Sequence, residues 1–148
     1  KVVSLVSRDG ETRSYHVAKV NKANVSAILA AQVAKDSKLF TDTASYYRHL
    51  PKKMFAKHEM VNHSANEYVR GEVHTNTVEG YFGLLKRGLF GTYHHISEAH
   101  LQRYLHEFDF RFTNRVALGV NDAQRTNAAL KQIGGKRLTY RRINGQTA

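Results

Sequence analysis

At 148 residues the chain has the length of one domain (~100–200 residues each). Its 41% apolar and 24% charged residues can bury a core, which excludes wholesale disorder and a collagen-like repeat. Lys and Arg number 23 against 12 Asp and Glu, a net charge of +11 that suits a polyanionic partner, DNA or RNA before an acidic membrane surface, though a merely soluble basic protein would share it. The absence of cysteine excludes a disulfide framework, a Cys-ligated zinc site and a thiol nucleophile, and no stretch approaches the ~18–20 continuous apolar residues of a membrane span.

The opening run, Lys1-Val2-Val3-Ser4-Leu5-Val6-Ser7-Arg8, is too short and interrupted for a signal core. It lacks an initiating Met and is strand-like from the start, which reads as an excised domain or fragment. Val2 to Val6 and Thr12 to Val17 predict two antiparallel strands joined at a tight Asp9-Gly10 turn. Asn21 is placed as an N-cap for a helix over 22–35, with Val25, Ile28, Leu29 and Val33 on its apolar face. Lys38-Leu39-Phe40-Thr41 predicts a short buried strand with Asp42 at its carboxyl end. A short helix over 44–50 stops at Pro51, a basic connection covers 52–58, and Glu59-Met60-Val61-Asn62 reads as another strand. Residues 63–75 read as a polar loop. A helix from Asn76 carries the stripe Val78, Phe82, Leu85 and Leu89. Gly80, Gly83 and Gly88 weaken it, which suggests close approach of another backbone or a ligand. Ser97 is expected to cap a strong helix with Leu101, Tyr104, Leu105, Phe108 and Phe112 on one face. After Asp122 the chain holds no acid but Arg125, Lys131, Lys136, Arg137, Arg141 and Arg142. The order of elements predicts an α/β fold, a mixed sheet covered by helices, over 1–118, followed by a basic tail over 119–148.

Two acids stand out. Ligands of open α/β sheets gather beyond the carboxyl ends of strands, where Asp42 is placed; from position alone, capping the helix near Thr43 or Ala44 is the favoured explanation. Glu79 shares a helix side with Asn76, three residues before, and Lys86, seven after. A carboxylate, an amide and an ammonium so arranged can hold a divalent cation and a phosphate; a solvated polar face has the same spacing. A carboxylate at a strand end and another on a later helix can converge on metals that bind the attacking and departing oxygens of a phosphodiester. Such sites use about three acids, and no convincing third is present, since Asp9 and Glu11 sit at a hairpin turn. His58-Glu59 and His63 lack the i,i+4 spacing of a zinc-protease helix, and Gly134-Gly135-Lys136-Arg137 lacks the other elements of a P-loop. Basic residues interleaved with aromatics suit a phosphate backbone at Tyr46-Tyr47-Arg48-His49, at Lys86-Arg87 through Tyr93-His94-His95, and at Tyr140-Arg141-Arg142.

The run Val61-Asn62-His63-Ser64 with Glu67-Tyr68-Val69-Arg70-Gly71 resembles a DDE-type bacterial insertion-sequence transposase of the ISXO-type branch. So do His74-Thr75-Asn76-Thr77-Val78-Glu79-Gly80, Leu84-Leu85-Lys86-Arg87-Gly88, Gly91-Thr92-Tyr93-His94-His95 and Phe110-Arg111-Phe112-Thr113-Asn114-Arg115. The resemblance implies a ribonuclease H-like fold that cleaves and joins DNA with Mg²⁺ or Mn²⁺. Asp42 would be the second acid, and Glu79 the third, with Lys86 beside it and Asn76 sharing or taking the third place. The first acid would lie on a strand upstream of Lys1, so that the fragment lacks its first strand and is inactive alone. Lys86, Arg87, His94, His95, Arg103, Arg141 and Arg142 would meet DNA, both the element ends and the target. The implied setting is the bacterial cytoplasm at the nucleoid, without a membrane, as a homo-oligomer assembled on DNA. The alternative is a basic nucleic-acid-binding module without chemistry.

Overall fold

A β-branched run and a glycine turn build the first hairpin in the computed structural model, which describes residues 1–51 and 53–134. Strand β1 (Val2–Val6) pairs antiparallel with β2 (Thr12–His16), Val2 opposite His16 and Val6 opposite Thr12. The turn is wider than a two-residue Asp-Gly link. Ser7 N donates to Glu11 O at 2.8 Å, and Gly10, at φ +95°, supplies the left-handed step that a side chain would resist.

Helix α1 (Lys22–Gln32) begins as expected, with the Asn21 side chain accepting from Asn24 N at 2.9 Å. It ends three residues early because Val33 turns extended while its N–H still bonds Leu29 O. Strand β3 (Lys38–Asp42) then pairs parallel with β4 (Lys57–Val61), Lys38 beside Lys57 and Asp42 beside Val61. A parallel pair needs a crossover, and the short helix α2 (Ser45–Arg48) lies on it. Residues 63–75 are more ordered than a loop: a 3₁₀ turn at His63–Ala65 precedes a small hairpin of β5 (Val69–Arg70) and β6 (Val73–His74), with Gly71 at φ +61° between them.

Helix α3 (Asn76–Gly88) buries Tyr81 and Leu85, and α4 (Glu98–Thr113) buries Leu105, Phe108 and Asp109. These helices share one apolar cluster, while Val3, Val25, Leu29, Leu50 and Phe55 form another. Of the three helical glycines only Gly88 meets a close neighbour, the Phe108 ring, which would overlap any β-carbon there. Gly80 and Gly83 face open space, so the crowding found on this helix is a side-chain ring at Gly88 and not the expected approach of another backbone. Ser97 does not cap α4 with its side chain. Its hydroxyl is buried without a hydrogen-bond partner among the described residues, and only its carbonyl accepts from His100 N and Leu101 N.

Helix α4 does a second job. The amide of Gln102 accepts from His16 N and donates to Ser14 O, Asp109 accepts from Ser14 N, and Thr113 Oγ1 accepts from Thr12 N. Side chains at 102, 109 and 113 thus satisfy the backbone along the outer edge of β2, closing it against further strand pairing.

The expected mixed sheet, short of its first strand, is present only as separate pieces among the described residues. The described strands make three separate two-stranded sheets, β1–β2, β3–β4 and β5–β6. The physical reason is that β1 spends one edge on β2 and β3 spends one edge on β4, with no described strand joining the two pairs. The fold is therefore mixed α/β with small sheets and five α-helices among the described residues.

The chain divides into compact units at Thr113 and Asn114. The second contains α5 (Asp122–Lys131), a helix within the stretch expected to be a basic tail. A capping box starts it: Asn121 Oδ1 accepts from Gln124 N, and Gln124 Oε1 accepts from Asn121 N, both at 2.9 Å.

Candidate active-site cleft

Every residue of β1 and of β3 lines one cleft of about 950 Å³, so the two unshared strand edges border the same space. Asp42 and Glu79 both line it. Asp42 arrives there because β3 ends at it, and Glu79 because it lies in the first turn of α3, which packs beside β1. Arg8 ties the end of β1 to the neighbouring elements. Its guanidinium donates to Glu72 O at 2.7 Å and to the His74 ring at 2.8 Å, and lies 4.9 Å from the centroid of Phe40 on β3.

The two carboxylates are held differently. Asp42 Oδ1 accepts from Ala44 N at 3.0 Å, the turn-forming bond that would let it shape the chain before α2. Glu79 Oε1 accepts from Thr75 Oγ1 at 2.6 Å, and His63 Nε2 lies 3.1 Å from that hydroxyl and 3.5 Å from the carboxylate. The sequence reading did not pick out Thr75 or His63 as partners of Glu79. The i,i+4 spacing of Thr75 and Glu79 could have suggested the first; the second comes from a separate turn and has no local signal.

Lys86 and Asn76 are exposed on α3 and do not line the cleft, while Glu79 does. Arg87, His94 and His95 are exposed at and beyond the end of α3, and Arg103 is exposed on α4. Tyr46 and Tyr47 pack edge-on, 4.6 Å between centroids, against the first apolar cluster rather than standing out as a stacking pair. Burial pushes the Tyr47 hydroxyl pKa well up, so it stays protonated. Tyr140, Arg141 and Arg142 lie outside the described residues.

The donor set fits a divalent metal in kind, since Asp42 and Glu79 offer hard carboxylate oxygens to one cleft. It falls short in number, because among the described residues no group of three or more His, Asp or Glu side chains is placed to hold a metal ion. No described helix is long and apolar enough to cross a membrane.

No curated protein and no solved structure matches the chain. Its residues 1–113, the first compact unit, do match a described family. On that match, which covers both carboxylates and both faces of the cleft, the chain belongs to the family of ISXO2-like transposase domains.

Proposed function

We propose that the chain is a catalytic core of DNA transposition, in which Asp42 and Glu79 provide two of the acidic ligands of a divalent-metal site. The observation that carries this reading is that the carboxylate at the end of β3 and the one in the first turn of α3 border the same cleft. The open edges of β1 and β3 along that cleft support a ribonuclease H-like completion, an additional extended segment hydrogen-bonded to both strands and carrying the third acid.

Mg²⁺ or Mn²⁺ bound there would polarise the phosphodiester and stabilise the departing oxygen. The reaction class is in-line displacement at phosphorus. Attack by water breaks one P–O bond and leaves a free 3′-hydroxyl at the element end. That hydroxyl then attacks a target phosphorus, losing its proton as the new P–O bond forms and the old one breaks. The residues of this chain orient and position. Thr75 and His63 fix one oxygen of Glu79, while Lys86, Arg87 and Arg103 supply cations for the DNA backbone. Pairing two element ends calls for more than one subunit, and the bacterial nucleoid is the setting.

A test in two parts separates this from a nucleic-acid-binding module without chemistry, the second reading, which the net charge of +11 would serve equally. Mn²⁺ added to the isolated chain should broaden amide resonances around 42 and 79 first; broadening centred elsewhere rules out this pair as the site. In a cleavage-competent protein carrying this domain, Asp42→Asn and Glu79→Gln should abolish metal-dependent strand cleavage. Both should keep DNA binding whose log K falls by ~0.9 per neutralised phosphate per decade of salt. Normal cleavage by either variant overturns the assignment.

A further inference from the structure

Phe90 is the most exposed large apolar side chain among the described residues, at 75%. It stands where α3 ends. Gly88 lets the helix press against the Phe108 ring, and the chain then widens into a π-helical turn over Leu89–Tyr93. The next residue, His94, has φ +56°, a left-handed conformation that costs a non-glycine residue energy and is kept only where the surroundings enforce it. A π-helical turn followed at once by a strained residue marks a segment shaped for something other than packing.

The chemistry around Phe90 is one-sided. Lys86 and Arg87 lie four and three residues earlier on the same helical run, so both stand on its side of the helix, and both are exposed. His94 and His95 follow, also exposed, and no acid occurs between Glu79 and Glu98. The nearest acid contacted by this turn is Glu107, which accepts from Tyr93 Oη and is already paired with Arg111 at 2.7 Å. An apolar ring on a knuckle whose own residues carry cations and no acid matches a ligand with a flat apolar face and a negatively charged backbone. A folded duplex hides its base faces; an unpaired or frayed strand offers them.

We propose that the Leu89–Tyr93 turn is a single-strand reader, in which Phe90 stacks on an unpaired base while Lys86 and Arg87 hold the adjoining phosphates. This rests on the DNA reading above and adds to it the form of DNA engaged. Stacking on an aromatic ring is indifferent to base identity, so the turn selects unpaired ends rather than a sequence.

The test is fluorescence anisotropy of the 148-residue chain on two labelled DNAs of equal length, one blunt and one with a short single-stranded overhang. The wild type should bind the overhang DNA about tenfold more tightly, the effect of one stacked base. Phe90→Ala should erase that preference while binding blunt DNA as the wild type does, and Phe90→Trp should restore it. Arg87→Ala should weaken both complexes. Because Phe90 packs against little, its replacement leaves the fold intact, which a circular dichroism melt verifies. Unchanged overhang preference in Phe90→Ala overturns the stacking role. Phe90-dependent binding of vesicles with anionic lipid, with DNA affinities unaffected, overturns it in favour of a membrane surface. No binding of the wild type to either DNA at low salt overturns the DNA reading itself.

Discussion

Asp109 on α4 reaches Ser14 on β2 through both carboxylate oxygens, Oδ2 accepting from the Ser14 amide at 2.7 Å and Oδ1 from its hydroxyl at 2.6 Å. The same Oδ1 accepts from Tyr81 Oη at 2.7 Å, and Ser4 Oγ lies 2.8 Å from Ser14 Oγ, so one carboxylate joins both strands of the first hairpin to both long helices. Burial above all, with the Asp109 carboxylate adding to it, pushes the Tyr81 hydroxyl pKa well above its ordinary value and keeps it a donor. Asp109→Ala would leave the buried Ser14 N–H without its acceptor and the Ser14 and Tyr81 hydroxyls, 2.8 Å apart, with one acceptor fewer, an unsatisfied buried donor costing ~1–3 kcal/mol. The expected loss is about 3 kcal/mol in urea unfolding. Tyr81→Phe, which keeps the ring and leaves Asp109 with Ser14, should cost about 1 kcal/mol. A loss under 0.5 kcal/mol (~0.5 being the usual scatter of surface substitutions) for Asp109→Ala would show that the junction is not holding the unit together.

The glycines of α3 separate into two kinds. Gly88→Ala places a β-carbon in overlap with the outer edge of the Phe108 ring, which must move within a packed cluster, so destabilisation of about 1–3 kcal/mol is expected. Gly80→Ala and Gly83→Ala add a methyl to open space on a helix and should stabilise by about 0.5–1 kcal/mol each. Thermal melts of the three single variants check the opposite signs.

This contrast shows what could be read in the sequence. Period and composition located the first hairpin, the long helices and the strand that delivers Asp42, because those signals are local: alternation, helical spacing, and Asn21 before an apolar run. Which glycine is crowded depends on a ring twenty residues away, and nothing near Gly88 encodes it. The closing of the β2 edge by Gln102, Asp109 and Thr113 was hidden for the same reason; in sequence these are ordinary polar helix residues. The Asn121-x-x-Gln124 capping box was local and legible, but the basic residues after it drew the reading toward a tail. Of the proposed site, the sequence offered Asp42 at a strand end and Glu79 on a helix as candidates, whereas the Thr75 and His63 contacts to Glu79 required the fold.

Thr75 should behave as a positioning residue for Glu79. Thr75→Val keeps shape and removes the hydroxyl that donates to Glu79 Oε1. With Glu79 holding metal as proposed, removing such a partner weakens metal affinity ~10–100-fold. In a cleavage-competent protein carrying this domain, half-maximal cleavage should therefore need correspondingly more Mn²⁺, with the rate at saturating metal much less affected. Thr75→Ser should restore the wild-type dependence. A purely structural role would instead lower the melting temperature and leave the Mn²⁺ midpoint in place.

His58 gives the first unit a pH dependence whose sign follows from its surroundings. It sits on β4 opposite Leu39, its Nε2 lies 2.9 Å from Thr41 Oγ1, and burial lowers its pKa from the ordinary 6.5. In the unfolded chain the imidazole takes a proton as pH falls through about 6.5, while in the folded chain it resists. The unfolded state then binds more protons, so this residue lowers stability as pH drops from neutral, until pH passes the depressed folded value and the effect levels off. Above neutral pH both states are unprotonated and the residue contributes no slope. His58→Asn removes the titration, and the difference in denaturation midpoint between variant and wild type should shift in the variant's favour from pH 7.5 to pH 5.5 (a window of about one unit either side of the ordinary value). A difference that stays constant, or moves the other way, would mean that the folded protein accommodates the charged imidazole despite its burial.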